Sequence, residues 1–503
     1  MASKPIDKSK IPTYVTHVTT TLEKVGFEVF LVGGCVRDLI MDRIPKDWDI
    51  TTNATPEQIM PLFEKTVYEN TYGTVGVCIP KVTHVTNGDV THETPEYHII
   101  EVTPYRIEAK YTDFRHPDEV KFSKNIEDDL KRRDFTINAL AYNASKGHII
   151  DLYKGQEDIK DKVVRAVGEP KDRFHEDALR MLRAVRFATQ LGFVISSETM
   201  DAIVDNAHLL KNISAERISD EFTKIIESEN PSSGIILLQK LGLLKYIIPE
   251  LEEGIGCEQG GAHIYDVFEH LLGALNHASN KGFSTEIRLS ALFHDIGKPK
   301  SRRPGAKKAY TFYGHEVIGA RMAKAIMERL KYPKKTTDLV VSLVRNHMFF
   351  SDTEQITLSA VRRIVQKVGK EHIWQLMEIR ECDRVGMKKA EAPYRLRKYH
   401  AMIDEVLRDP LSVGQLAIDG EVLIKELGMS PSRRMGWILH ALLEEVLDDP
   451  KKNTVEYLKE KALELDKLSD KELQKLGEKA KDLKDKLEEE EIGKVHAKHG
   501  IKR

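Results

Sequence analysis

Cysteine is scarce. There are four in 503 residues (Cys35, Cys78, Cys257 and Cys382), and no two form a C-x-x-C pair. That excludes a disulfide framework or a zinc ribbon and fits a reducing compartment. Net charge is almost absent, at −2. No global basic field marks the chain for nucleic acid, so any RNA site must be a local patch. No run approaches the roughly 18 apolar residues of a membrane span. The opening Met-Ala-Ser-Lys-Pro-Ile-Asp-Lys has no apolar signal core. A soluble cytoplasmic protein with no membrane partner is expected. The hydrophobic share of 41% is enough for real cores. The length suggests about three domains.

Strand and helix patterns mix over residues 12–165, with strand candidates at 74–79 and 97–103 and a polar hairpin tip at 80–95. From about residue 166 strand patterns vanish and helical periodicity continues to the end. Breaks fall near Pro231, Pro249, residues 254–261 and Pro393. The fold class is α+β, a mixed head followed by a long helical body. The divisions read as 12–165, 166–250, 251–390, 391–450 and 451–503. The last is dense in Lys and Glu and reads as a solvated helix or frayed tail.

The most informative feature lies in the head. Val29-Phe30-Leu31-Val32 is a short apolar run typical of a buried strand, and Gly33-Gly34 follows it. Two glycines let backbone N–H groups approach a phosphate. Arg37 then stands in a helix start. In Asp47-Trp48-Asp49, strand period 2 puts both carboxylates on one face. Such a pair repels unless a divalent cation sits between them, and Mg²⁺ is held by one or two carboxylates plus substrate phosphates. The pattern points to metal-assisted chemistry on a nucleoside triphosphate.

Two basic segments follow. In Asp128-Asp-Leu-Lys-Arg-Arg-Asp-Phe-Thr-Ile-Asn138, Arg132 and Arg133 suit phosphates. Asp134 and Asn138, four apart on one helical face, suit a ribose. In Arg173-Phe-His-Glu-Asp177-Ala-Leu-Arg180-Met-Leu-Arg183-Ala-Val-Arg186, Asp177 and Arg180 are helical neighbours able to present a hydrogen-bonding edge to a base. Each further step of three drifts about 60° around the helix, which ranks Arg183 lower and Arg186 last. An ordinary ion-pair ladder is the alternative for both segments.

Taken in order, these segments resemble the class II tRNA nucleotidyltransferases, the CCA-adding enzymes, and the related bacterial poly(A) polymerases. The resemblance also takes in Glu101-Val-Thr-Pro-Tyr-Arg106, Tyr111-Thr-Asp-Phe-Arg-His-Pro117, Asp151-Leu-Tyr-Lys-Gly155 and Glu216-Arg-Ile-Ser-Asp-Glu221, and covers about residues 15–250. It implies a polymerase-β-like nucleotidyltransferase head and an all-α neck that recognises nucleotide and RNA. It implies Asp47 and Asp49 as Mg²⁺ ligands, with Glu101 as third catalytic carboxylate. Gly33, Gly34, Arg37, Arg133, Asp134 and Asn138 would bind triphosphate and ribose. Asp177 and Arg180 would select C and then A, with Arg183 and Arg186 as further contacts. The substrates would be CTP, ATP and a tRNA lacking its 3′ CCA. Residues 111–117 resemble the flexible loop needed for the final A, which enzymes adding only CC lack. Thr103-Pro104 departs from the family's Thr-Thr, and the proline is expected to stiffen the strand end.

Residues 265–383 carry another set, with His270, His294-Asp295, His315, His347 and Asp383. Imidazole and carboxylate ligands suit catalytic divalent metals. The segment resembles the HD superfamily of metal-dependent phosphohydrolases. His270, His294, Asp295 and Asp383 match its core ligands, and His315 and His347 match the extra histidines of binuclear members. The metal's identity is left open. Lys298 suits a substrate phosphate. Residues 419–447 resemble the body and tail helices of the nucleotidyltransferases, with Arg433 and Arg434 as candidate tRNA-backbone contacts or plain surface charge.

The expected function is template-independent CCA addition with an HD phosphohydrolase activity, by analogy 3′-end repair. The nearest rival, a poly(A) polymerase, shares every head motif. Rivals of other classes are an HD nucleotide hydrolase with a regulatory head, opposed by intact Asp47, Asp49 and Arg133, and a non-catalytic RNA-binding protein, opposed by two complete ligand sets. The sequence carries no signal for oligomeric state.

Overall fold

The computed structural model describes residues 6–68, 73–81, 96–109, 119–260, 264–305, 309–348, 356–385 and 393–479. These form two units, divided between Pro249 and Glu250.

The first unit opens with the Thr13–Lys24 helix, which buries Val15, Val18 and Leu22 along one stripe. The strands are β1 (Val29–Val32), β2 (Asp49–Thr52), β3 (Thr66–Tyr68), β4 (Val75–Pro80), β5 (Tyr97–Pro104), β6 (Arg106–Ala109), β7 (Glu119–Phe122), β8 (Leu140–Asn143) and β9 (His148–Asp151). Seven of them make one sheet in the order β3-β4-β5-β2-β1-β8-β9, while β6 and β7 pair separately. β1 is buried throughout and has antiparallel neighbours on both sides, which is why its sequence is unbroken Val-Phe-Leu-Val. β2 and β5 run parallel, with Asp49 opposite Glu101 and Thr51 opposite Thr103. In β5, Ile100, Val102 and Pro104 are buried, while Ile99, Glu101 and Thr103 take the other face.

Pro104 leaves this pairing intact. β4 begins at Val75, opposite Val102, so Pro104 lies beyond it where no β4 carbonyl waits for the N–H that proline lacks. The pairing with β2 extends to Thr52 opposite Pro104. Residues 82–95 and 111–117, read as a hairpin tip and a flexible loop, lie outside the described residues.

The expectation that strands end near residue 166 needs correction. Val194–Ile195 pairs in parallel with Val163–Val164, and Arg303–Pro304 pairs with Tyr310–Thr311. Two-residue strands are too short to leave a periodic signature. Otherwise the neck is helical, built on Pro170–Glu176, Leu179–Leu191, Ala215–Ile226 and Pro231–Lys240.

In the second unit, Val267–Asn280, Thr285–Phe293, His315–Arg329, Lys334–Asn346 and Ile373–Asp383 form a helical bundle. Leu358–Val368, Pro393–Val406 and Arg433–Asp448 continue it. The charged segment after residue 451 is more than a solvated tail, at least as far as residue 479. Val455–Leu465 and Asp470–Lys479 are helices, and Leu458, Ala462, Leu465 and Leu473 join the hydrophobic core. Leu458, Ala462 and Leu465 recur at helical spacing, a stripe masked in the sequence by the surrounding Lys and Glu. Arg434 helps seat these helices. Its Nε donates to Asp466 at 2.9 Å, it pairs with Asp470, and it donates to the Asp466 and Leu468 carbonyls at 2.6 Å. Arg434, read as a tRNA-backbone contact or plain surface charge, thus ties the tail helices internally, while Arg433 at the helix start is exposed. Among the described residues, no helix is long and apolar enough to cross a membrane. All four cysteines are buried free thiols.

Candidate active site and metal centre

β1 feeds directly into Gly33, whose φ of 80° favours glycine. Space demands glycine as well. A Cβ there would lie 3.0 Å from Arg133 Nη1 and 3.6 Å from Asp49 Oδ2. The glycine turn thus lets a cation and a carboxylate approach one point of backbone. Asp49 and Glu101, side by side on β2 and β5, line a cavity of about 220 Å³ with Thr103, Arg106, Arg132 and Arg133. Burial holds the Asp49 carboxyl above its usual range; Arg133 counters this and the nearby charge of Asp47 adds to it. Acids crowded in this way beside arginines fit a bound cation and a polyphosphate.

Asp47 differs from expectation. It lies in the bend before β2, exposed, while Trp48 is buried. The strand begins only at Asp49. The alternation of exposed, buried and half-buried side chains persists through the bend, so Trp48 packing, in place of strand pairing, orients Asp47.

Around the cavity the charges are already paired. Arg37 is buried, donating to Asp38 at 2.8 and 2.9 Å and to Asn138 Oδ1 at 2.8 Å. The helix expected to carry both Asp134 and Asn138 stops at Lys131. The two still meet, with Asn138 Nδ2 donating to Asp134 at 3.2 Å across a short 3₁₀ turn at Thr136–Asn138. Asp134 is buried, and its other oxygen accepts from Arg183 Nε at 2.8 Å. Burial alone would raise its carboxyl, yet the Arg183 guanidinium outweighs that and pulls it down to about 2.

The base-reading pair also needs correction. Asp177 is extended (φ −144°, ψ 104°) and breaks the chain between Pro170–Glu176 and Leu179–Leu191. It caps the second helix by accepting from Leu179 N at 3.0 Å. Its carboxylate accepts from Arg217 at 2.7 and 3.2 Å, a partner the sequence reading missed. Arg180 pairs with Glu176 at 2.5 Å and donates to the Arg132 carbonyl at 2.8 Å. The drift argument therefore applies only from Arg180 onward. Arg186 pairs with the buried Glu221 at 2.8 Å. The guanidiniums of Arg37, Arg183 and Arg186 all lie within 5.3 Å of the Phe187 ring centre. The pairing of Asp177 with Arg217, forty residues on, has no local signal in the sequence.

The second unit brings all six expected ligands together. Asp266 caps the His270 helix in a reciprocal box with Glu269. His294 and Asp295 occupy the turn after Thr285–Phe293, His315 opens one helix, His347 closes another, and Asp383 ends a third. Gly297 makes this possible, since a Cβ there would sit 2.3 Å from the His315 carbonyl oxygen. His270, His294, Asp295 and Asp383 form one ligand group, and Asp295, His315 and His347 a second. Asp295 joins them. Its Oδ2 lies 3.3 Å from the Nε2 atoms of His270 and His294, and its Oδ1 lies 3.1 and 3.5 Å from those of His315 and His347.

Every imidazole is oriented alike. The Nδ1 atoms of His270, His294, His315 and His347 face backbone carbonyls at 2.7–3.1 Å. An Nδ1–H donated there leaves the Nε2 lone pair pointing inward. Four nitrogens and two carboxylates, one shared, fit a pair of divalent metals. Lys298 departs from expectation. It is buried against Asp295 Oδ2 at 2.5 Å and Gln259 Oε1 at 2.6 Å, so it neutralises a ligand carboxylate where a substrate phosphate contact was expected.

Comparison with known proteins agrees with this anatomy. Residues 29–165 match the Poly A polymerase head domain, 192–255 a probable RNA and SrmB-binding site of polymerase A, and 267–386 the HD domain. A CCA-adding enzyme of Lactobacillus helveticus is 33% identical over 450 residues, covering 89% of this chain and 96% of that one. One from Levilactobacillus brevis is 44% identical over 249 residues, covering 49% of this chain and 58% of its own. Among solved structures, a Bacillus stearothermophilus CCA-adding enzyme in complex with CTP superposes with a TM-score of 0.66 at 26% identity, covering 90% of this chain and 96% of that one. The fold of a Thermotoga maritima CCA-adding enzyme complexed with tRNA is also similar, with a TM-score of 0.55 at 19% identity over 92% of this chain and all of the other. With 33% identity to a CCA-adding enzyme over nearly the whole of both chains and a fold built on the same plan, the chain belongs to the CCA-adding enzyme family.

Proposed function

We propose that the head cavity joins CMP and then AMP, from CTP and ATP, to the 3′-hydroxyl of a tRNA lacking its CCA end. The observation that carries this is the parallel register of β2 and β5, which sets Asp49 beside Glu101 at a cavity walled by Arg106, Arg132 and Arg133. Asp47, Asp49 and Glu101 would hold Mg²⁺, which when bound neutralises charge at the reacting phosphate. The arginines draw in the triphosphate, and the Gly33 turn admits it close to the backbone. The 3′ oxygen forms its new bond to the α-phosphorus as pyrophosphate leaves. Asp177 and Arg180 present an acceptor and a donor to the base, each held in place by a partner, Arg217 and Glu176. Residues 12–165 would then do the transfer and 166–250 choose the nucleotide. A poly(A) polymerase shares the head but is not favoured by the CCA-adding relative that matches 89% of the chain.

Arg180→Ala is expected to lower kcat/KM for CTP and ATP alike, by about 1–3 kcal/mol for lost charged hydrogen bonds. Steady-state kinetics with all four triphosphates checks it. Unchanged CTP and ATP use together with unchanged rejection of UTP and GTP would reduce Arg180 to a structural arginine.

We further infer that the six-ligand centre hydrolyses phosphoesters, with damaged RNA 3′ ends as its targets. Two ligand groups sharing Asp295 support this reading. Divalent metals there would activate water at neutral pH.

A further inference from the structure

One buried carboxylate holds two of the three cavity arginines, Arg132 and Arg133. Asp129 stands near the end of the Ile126–Lys131 helix, three and four residues before Arg132 and Arg133, with 0% exposure. Its Oδ1 accepts from Arg132 Nε at 3.1 Å and Nη2 at 2.5 Å. Its Oδ2 accepts from Arg133 Nε at 3.2 Å and Nη2 at 2.8 Å. Each guanidinium thus turns the same edge to Asp129, and the rest of each planar group is fixed in direction. Arg133 Nη1 accordingly reaches the Gly33 turn, beside Asp49. The backbone that follows is gripped too, since Arg173 donates to the Lys131 carbonyl at 3.0 Å and Arg180 to the Arg132 carbonyl at 2.8 Å.

We propose that Asp129 is a positioning residue for nucleotide addition: it aims Arg132 and Arg133 at the triphosphate and so sets where the α-phosphorus sits relative to Asp49 and Glu101. This rests on the reading of the head cavity as the triphosphate site. Two guanidiniums side by side repel. A single buried anion between them fixes their geometry yet leaves an excess positive charge facing the cavity. Without it, both side chains swing apart. Burial alone would raise the Asp129 carboxyl, yet the two arginines hold it at about 2, so it is charged at every working pH.

The test uses the full-length protein with Asp129→Asn, which keeps the shape and removes the charge, and Asp129→Glu, which keeps the charge. KM and kcat are measured for CTP and ATP at saturating tRNA, KM for tRNA at saturating CTP, and the unfolding midpoint alongside. Misaiming a clamp raises nucleotide KM by roughly ten- to a hundredfold. The rise in Asp129→Asn should be equal for CTP and ATP, because their phosphates are the same, with CTP-over-UTP preference and tRNA KM unchanged. Asp129→Glu should recover part of the loss. An unchanged nucleotide KM in folded Asp129→Asn overturns the proposal, as does a parallel rise in nucleotide and tRNA KM. If Asp129→Asn does not fold, Asp129→Glu carries the same two outcomes. Arg133→Ala separates the readings. If it too leaves nucleotide KM unchanged, the triphosphate site itself is misplaced; if it raises KM and Asp129→Asn does not, only the positioning role fails.

Discussion

Asp49→Ala is expected to stop nucleotide addition while leaving the protein folded and no less stable. A metal ligand contributes several kcal/mol to the transition state. At about 1.4 kcal/mol per tenfold, that is a loss of about three orders of magnitude or more. The stability arm follows from the sign of the carboxyl shift. Burial raises the Asp49 carboxyl, so the charged form opposes folding, and deleting it relieves that cost. Asp49 is half-buried with Asp47 nearby, so the repulsion it carries serves the site at the expense of the fold. Labelled CTP incorporation into tRNA and a thermal melt check both arms. Near-normal incorporation by folded Asp49→Ala would remove Asp49 from the chemistry.

Asp295→Ala should strip metal from the second unit and end hydrolysis there while CCA addition continues. Among the described residues Asp295 is the one carboxylate common to both candidate ligand groups, so its loss damages both at once. It also leaves Lys298 buried without its anion, so Asp295→Asn, which keeps the volume, is the companion variant. Metal content by elemental analysis and turnover of 2′-nucleotides and 2′,3′-cyclic nucleotides with Mg²⁺, Mn²⁺, Ni²⁺ and Co²⁺ report the result. Wild type that holds no metal and turns over none of these would mark the cluster as structural. Loss of CCA addition in the folded variants would contradict the separation of the two activities.

The candidate ligands of the second unit were legible because each histidine or aspartate stands in a short motif, and His-Asp-Ile-Gly-Lys fixes one turn on its own. Gly297 explains why glycine belongs there: helix His315–Arg329 starts against it. In the head, Asp49 and Glu101 were found as residues, but their pairing across β2 and β5 is a register between distant strands that no local pattern encodes. Helical spacing misled where the backbone turns. At Asp177 an extended residue interrupts the run, and after Lys131 a 3₁₀ turn replaces helix. Spacing of three or four still brought Asp134 to Asn138 and Glu176 to Arg180, but across a 3₁₀ turn and an extended break in place of one helical face. Asp129 was visible at that spacing from Arg132 and Arg133. Its complete burial, which makes it a clamp, comes from tertiary packing.

The central claim is tested most directly by sequencing the 3′ ends made by the wild-type protein on a tRNA that lacks CCA. With CTP and ATP together the account predicts C, C and A, then arrest; with CTP alone it predicts arrest after CC, and with UTP or GTP no addition. Runs of adenylate added without cytidylate would contradict it and place the chain with the poly(A) polymerases.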